Sequence, residues 1–411
     1  MALLERLTVV LNFGTSLIEV GEIVTNKKKY FFKYYPSFLE RKIEISPFKL
    51  PLNSKIQTPS ELFFDGLFGV FNDSLPDGWG RLLVDRHLLK NGFQLQQITA
   101  LDRLSLINNN GLGALEYKPQ EKIVSEKYNS IQLDTIAQDM QVVLQGESNV
   151  VIEELYNLGG SSGGARPKIM VGYNEKTNKL VHDKAILPKD FEHWIIKFPS
   201  STDMQDIAQI EYAYYLMAVN AGISMSKSQL FKSKKNDYFF GTKRFDRDKN
   251  NKLHLHSASG LLHDNFRLSS LDYGHIMNAA FQLENHINGY EKVFRLACFN
   301  MLAHNRDDHS KNFAFLMNEK GKWQFAPAYD LTFSSSSHGQ HSTTINGEGV
   351  NPTQKHLLKL AENFDMKNAV HILEEVKQSI NNWTTFANQA NVSKASTKLI
   401  EKVIENQLKN Y

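Results

Sequence analysis

The chain has 411 residues, 41% of them hydrophobic and including 26 Phe and 15 Tyr, which is too long for one ordinary core and rich enough to fill two or three. Its 47 basic and 44 acidic residues leave a net charge of +3, an even balance that excludes a protein held to phosphate backbones by bulk charge. The lone cysteine, Cys298, excludes an internal disulfide framework and suits a reducing, cytoplasmic compartment, and no apolar run approaches the length of about twenty residues that spans a bilayer. The opening MALLERLTVVLNFG lacks a basic lead and carries Glu5, so it reads poorly as a signal peptide.

In chain order, LTVVLNF, SLIEVGEIVT and YFFKYY read as short strands, separated by Gly14, the polar run Asn26 to Lys29, and Pro36. NDSLPDGWGRLLVDRHLLKNGF then changes period: Trp79, Leu82, Leu83, Leu88 and Leu89 recur at helical spacing, with Asp77 placed to cap and Asn91-Gly92 placed to stop the helix. Residues 1–116 are expected to form a small mixed α and β subdomain whose apolar helix either packs on the rest of the chain or offers a docking surface. Residues 117–135 are polar and nearly patternless and read as a connector, followed by a helix over about 134–146. From Tyr156 the reading is strand, glycine loop, strand: NLGGSSGGARPKIMVGYN, then HWIIKFPS. In MQDIAQIEYAYYLMAVNAGI, Ile207, Ile210, Tyr214, Met217 and Ala218 share one stripe, so a helix is expected, and YFFGTKRFDR returns to strand within a region spanning 136–248. Residues 249–411 read as mostly helical, with EKVFRLACFNMLA as a buried helix. Two regions of different secondary structure suggest a cleft between them.

FAFLM, NEKG and KWQFAP read as a hairpin around a turn with Asn318 and Gly321. Pairing would set Asn312 beside Pro327, about 5 Å across the ladder, and gather Asp307, Asn312 and Asp330 at one end. Two acids and an amide oxygen make a hard-oxygen set suited to Mg²⁺ shared with substrate phosphates, which is what phosphoryl transfer requires. The Asp307 to Asn312 interval is the D-x-x-x-x-N interval of protein-kinase catalytic loops, although His304-Asn305-Arg306 precedes the acid where kinases have H-R-D. The interval alone recurs by chance, and NRDDHSKN also reads as a solvated turn-rich loop. His304 and His309 raise zinc, against which stand the lack of a nearby cysteine and of a third histidine at a usual interval.

In GGSSGGARPK, Gly159 to Lys168, glycines without Cβ atoms let backbone N–H groups approach anionic oxygens and Lys168 adds charge; a flexible connector is the competing reading. Lys197, inside the apolar strand HWIIKF, either snorkels to the surface or meets an anion, and Glu211 on the following helix could hold it in place. Glycine loop, strand lysine, helix acid, catalytic loop and metal acid follow in the order of a bilobal kinase.

Together GGSSGGARPK, WIIKFPS, TKRFDR, NRDDHSKNFAF, FAPAYDLTFS and HSTTINGEGVNP, with SLPDGWGRLLVDR nearer the start, resemble the HipA family, the serine/threonine kinase toxins of type II toxin-antitoxin pairs, over nearly the whole chain. The resemblance implies an α+β, bilobal protein-kinase-like fold with a small N-terminal α/β subdomain, and ATP and Mg²⁺ as cofactors. Asp307 would be the catalytic base, with Asn312 and Asp330 on Mg²⁺. Gly163, Gly164, Ala165, Arg166, Pro167 and Lys168 would cradle the ATP phosphates and Lys197 would reach them. Lys243, Arg244 and Phe245 would form a hinge against adenine, and His309, Ser310, Lys311 and Tyr329 would line the remaining wall. A serine before the loop is autophosphorylated in the family, which expels the loop; Ser161 matches, with Ser162 beside it as the alternative. The implied partner is a HipB-like helix-turn-helix antitoxin, through which alone DNA would be reached, and the implied substrate is an aminoacyl-tRNA synthetase. The competing functions are a small-molecule phosphotransferase and a catalytically silent nucleotide-binding module.

Overall fold

The computed structural model describes residues 4–27, 29–107, 111–121, 131–146, 151–159, 163–336 and 339–409. The chain divides into two compact units, one of Met1–Asp203, Phe231–His256 and Met317–Gly321, the other of Met204–Leu230, Ser257–Leu316 and Lys322–Tyr411. Among the described residues no helix is long and apolar enough to cross a membrane.

The first unit opens with the three expected strands, β1 (Arg6–Asn12), β2 (Leu17–Asn26) and β3 (Lys29–Tyr34), which with β4 (Leu115–Lys118) form an antiparallel sheet ordered β3-β2-β1-β4. Their β-branched and aromatic residues bury alternate positions, as in Tyr30, Phe32 and Tyr34 of β3. Tyr117 and Lys118, read as the start of a connector, instead close β4: Tyr117 pairs with Val9, is buried, and donates its hydroxyl to Ser74 Oγ at 2.8 Å. A strand of four residues is too short for alternation to declare itself.

The helix Gly78–Lys90 buries Trp79, Leu83, Val84 and Leu88, whereas Leu89, expected on the same face, is 55% exposed. Its apolar face joins one cluster with Ile136, Met140, Leu155, Val171, Trp194 and Ile196, so the helix packs into the core of this unit. The helix expected after the connector runs Leu133–Leu144. The strand expected before the glycine loop is a helix, Ile152–Gly159, because Ile152, Leu155, Tyr156 and Gly159 repeat at three and four residues and fill that core.

The second sheet of the unit comprises β5 (Lys168–Asn174), β6 (Lys179–His182), β7 (Glu192–Lys197), β8 (Ser228–Lys232, of which Phe231 and Lys232 belong here) and β9 (Tyr238–Lys243), in the order β6-β5-β7-β9-β8. All seven residues of β5 are buried, which explains its nearly continuous apolar run.

The second unit is mostly helical. Helix Ile207–Asn220 buries Ile207, Ile210, Tyr214, Met217 and Ala218, and Tyr214 donates its hydroxyl to the Ala303 carbonyl at 2.6 Å. Helix Asn288–Leu302 is buried along most of its length, and burial pushes the Cys298 thiol up, leaving it inert. The hairpin strands Ala314–Met317 and Trp323–Phe325 follow, of which Met317 and the turn through Gly321 belong to the first unit; Gly321 N–H on the Asn318 carbonyl at 2.9 Å closes that turn.

Candidate active site

The loop NRDDHSKN leaves the end of helix Asn288–Leu302 and is held by residues that are silent in the sequence. Asn305 bonds Asn300 twice, N–H to carbonyl and Nδ2 to Oδ1, each at 2.9 Å. Asn300 Nδ2 donates to the Tyr273 hydroxyl at 2.8 Å, and that hydroxyl donates to Asp308 Oδ2 at 2.8 Å. Burial, reinforced by the Asp308 charge, pushes the Tyr273 hydroxyl well up, so it stays a donor. Asp308 also accepts His341 Nδ1 at 2.9 Å and the Ser342 N–H at 2.8 Å. The second acid of the loop is therefore a buried anchor that ties the loop to HSTTING. Spacing could not reveal it, because its partners lie 33 to 35 residues away in both directions.

Asp307 differs from its neighbour: its side chain is 55% exposed. Asn312 Nδ2 donates to the Asp307 carbonyl at 2.7 Å, which fixes the amide plane and leaves the amide oxygen as the end it offers to a cation. The Tyr329 hydroxyl donates to the Lys311 carbonyl at 2.6 Å, joining the residue before Asp330 to the residue before Asn312. Ala326 N–H on the Ala314 carbonyl (2.9 Å) and Ala328 N–H on the Ser224 carbonyl (2.8 Å) hold that returning segment. Asp330 is half-buried at φ +54°, a left-handed conformation that Asp tolerates better than most residues and that gathers at functional sites. The hairpin thus brings the neighbourhoods of Asp307, Asn312 and Asp330 together, although their separation in sequence is large.

The remaining wall residues divide. His309 Nε2 lies 4.0 Å from Asp307 Oδ1, its ring is 5.4 Å from that of Phe266, and Lys311 Nζ lies over the same ring at 4.6 Å. Ser310 is buried and donates to Asp264 Oδ2 at 2.5 Å, so its side chain braces the loop from inside and is not available to line a wall. Burial, with Arg306 and His341 adding, pushes His304 down to about 4 and keeps it neutral. Among the described residues no three His, Cys, Asp or Glu side chains gather to hold a metal by themselves. One amide oxygen and one carboxylate from Asn312 and Asp330 fit the small protein share of a Mg²⁺ shell completed by phosphate oxygens and water.

In the first unit, Lys168 opens β5 opposite Lys197 on β7, and Trp194 of β7 faces Lys243 on β9. Lys197 Nζ lies over the Phe240 ring at 5.4 Å. Lys168 Nζ turns back to the Gly163 carbonyl at 2.5 Å, Arg166 pairs with Asp203 at 2.9 Å, and the Pro167 carbonyl accepts the Phe198 N–H at 2.9 Å. Lys243 pairs with Glu192 at 2.5 Å. Arg244 departs from the expected exposed hinge: its guanidinium is fully buried on Asp246 (2.7 Å), Asp183 (3.2 Å) and the Gly111 carbonyl (2.8 Å), and its N–H donates to the His193 carbonyl at 2.9 Å. The arginine pairs with acids too distant or too ordinary in sequence to mark it as core. Phe245 is half-buried. Ser161 and Ser162 lie outside the described residues. Glu211 is buried on a helix of the second unit, whereas Lys197 lies on β7 of the first.

Two family models match the chain: the HipA N-terminal domain over residues 12–118 and the HipA-like C-terminal domain over residues 160–384. A solved structure of the Shewanella oneidensis MR-1 toxin-antitoxin system, HipA with HipB and operator DNA, superposes with a TM-score of 0.68 at 15% identity, covering 98% of this chain and 96% of that one. A Helicobacter pylori proinflammatory kinase, CtkA, aligns at a TM-score of 0.38 and 15% identity over 57% of this chain and 91% of that one. A Haemophilus influenzae protein described as a candidate kinase is 26% identical over 187 residues, 42% of this chain and 52% of that protein, so the chain spans about half the length of the curated relative it matches. The fold is α+β, strand-rich in one unit and helical in the other, and is shared with the Shewanella HipA structure. With more than half of its residues inside the C-terminal domain match, the chain belongs to the HipA family.

Proposed function

We propose that the chain is an ATP- and Mg²⁺-dependent protein serine/threonine kinase acting in the cytoplasm as the toxin of a toxin-antitoxin pair. The observation that carries this reading is the catalytic loop itself: an exposed Asp307 whose carbonyl fixes the Asn312 amide, while the buried Asp308 locks the loop in place. The Asp307 carboxylate accepts the proton of a serine or threonine hydroxyl as that oxygen bonds to the γ-phosphorus of ATP; the bond from the γ-phosphorus to its bridging oxygen breaks, and ADP departs with the electron pair. Asn312 and Asp330 would hold Mg²⁺, which supplies positive charge against the phosphate oxygens. Gly163, Gly164, Ala165, Arg166, Pro167 and Lys168 cradle the phosphates, Lys197 reaches them, and Lys243, the Arg244 backbone and Phe245 meet the adenine.

Phosphorylation of Ser161, or of Ser162 beside it, would add close to two negative charges where phosphates should be received, and repulsion would drive the loop out. The antitoxin is a HipB-like helix-turn-helix protein, by analogy with the Shewanella complex, and the chain's balanced charge of +3 agrees with DNA contact being left to that partner. The protein substrate is an aminoacyl-tRNA synthetase, whose loss arrests translation. Quantitative phosphoproteomics after induced expression, comparing the intact chain with Asp307→Asn, should show growth arrest and one dominant new phosphoserine or phosphothreonine on a synthetase with the intact chain only. Arrest by both chains with no new phosphosite would contradict the reading.

A further inference from the structure

The motif SLPDGWG supplies none of the residues placed in the phosphoryl-transfer site above, yet it lies against the glycine loop. Asp77 occupies the N-cap position of helix Gly78–Lys90, where an acid ordinarily accepts from its own helix, but its carboxylate makes no such bond. Asp77 Oδ1 accepts instead the N–H of Gly164 at 2.7 Å. In return the Trp79 N–H donates to the Gly164 carbonyl at 3.3 Å, so one residue of the loop serves the helix end that Asp77 leaves open. Gly78 lies between them at φ +44°, and a Cβ there would stand 2.4 Å from Ala165 Cα and 2.6 Å from the Gly164 carbonyl oxygen. Neither obstacle is a side chain that could swing away. Gly164 itself adopts φ +94°, open to glycine and strained for other residues.

We infer that Asp77, Gly78 and Trp79 form a clamp that positions the glycine loop, with Asp77 acting as a positioning residue for nucleotide binding. The contact geometry stands by itself; its consequence for nucleotide rests on the loop's reading as the ATP cradle. A glycine-rich segment loses much conformational freedom on ordering, and a loop already fixed by two bonds and a close backbone contact has less left to lose when phosphates arrive. Removing the Asp77 carboxylate frees the loop, which weakens capture of ATP without touching the transfer step.

The test uses the full chain with Asp77→Ala, Gly78→Ala and Asp77→Asn, and reads two quantities. Amide hydrogen exchange within residues 163–168 reports the clamp directly; residues 238–243 of β9 serve as the control. Steady-state phosphate transfer separates KM for ATP from kcat. Asp77→Ala and Gly78→Ala should each speed exchange in 163–168 roughly tenfold, the worth of a charge-assisted hydrogen bond, while β9 stays unchanged. KM for ATP should rise by about the same factor with kcat within about twofold. Asp77→Asn, whose amide oxygen still accepts the Gly164 N–H, should restore most of both. Unchanged exchange in 163–168 for Asp77→Ala and Gly78→Ala, or acceleration spread equally over β9, overturns the clamp. If the unaltered chain transfers no phosphate, the kinase reading fails while the exchange arm still decides the clamp. Should Asp77→Ala not fold, faster exchange in Gly78→Ala than in Asp77→Asn supports the clamp, and equal exchange in the two overturns it.

Discussion

Asp307 and Asp308 are adjacent acids with opposite fates, and at the residue scale that contrast marks the limit of what the sequence reveals. The interval to Asn312 picks out Asp307, but nothing local says that Asp308 is buried beneath it on Tyr273, His341 and Ser342. Asp308→Ala strands those donors and should destabilise the chain by about 3 kcal/mol in chemical denaturation. A loss below about 1 kcal/mol would show that the loop does not depend on this anchor. His254 makes a second residue-scale prediction. Burial, with His256 adding, pushes it down to about 4, and its Nε2 lies 2.9 Å from the Ile45 carbonyl, to which the neutral ring donates. Its unfolded value is about 6.5, so between these two values the unfolded chain binds more protons and stability falls as the pH falls; above that range His254 adds no slope. The decline attributable to it is on the order of 3 kcal/mol across the range. His254→Gln keeps a donor for Ile45 and removes the titration, so its unfolding free energy should fall less steeply from pH 6.5 to 4 than that of the unaltered chain, and identical slopes would contradict the assignment.

At the scale of elements, hydrophobic period identifies the long segments and fails on the short ones. The stripe of Ile207, Ile210, Tyr214 and Met217 and the alternation of β1 to β3 each extend over enough residues to be read directly. The eight-residue helix Ile152–Gly159 reads as a strand in the sequence because glycine follows it at once and the loop dominates the local pattern. Gly159 itself reads as part of a phosphate cradle, but a Cβ there would lie 1.9 Å from the Lys168 carbonyl oxygen. Its lack of a side chain is what lets the helix end meet β5. Gly159→Ala should therefore cost about 2 kcal/mol by forcing helix and strand apart, seen as a lowered melting temperature. An unchanged melting temperature would return Gly159 to the loop.

For the whole molecule, the order of motifs along the chain carries more than any motif alone: the glycine loop, strand lysine, catalytic loop and returning acid are each ordinary, while their succession is not. The N-terminal segment is the least legible part, since an apolar helix reads first as packing on the rest of the chain but also suits docking. Its Trp79, Leu83, Val84 and Leu88 share a core with Val171, Trp194 and Ile196, so deletion of residues 1–110 should give insoluble protein. A soluble, cooperatively folding remainder would assign that helix to a partner instead. The central claim is that Asp307 acts as the base of a phosphoryl-transfer centre. It is tested most directly by incubating the unaltered chain and Asp307→Asn with γ-labelled ATP and Mg²⁺, after melting curves have shown both to be folded. The account predicts labelled protein with the unaltered chain and a loss of at least about a hundredfold in rate with Asp307→Asn; equal labelling by the two chains would contradict it.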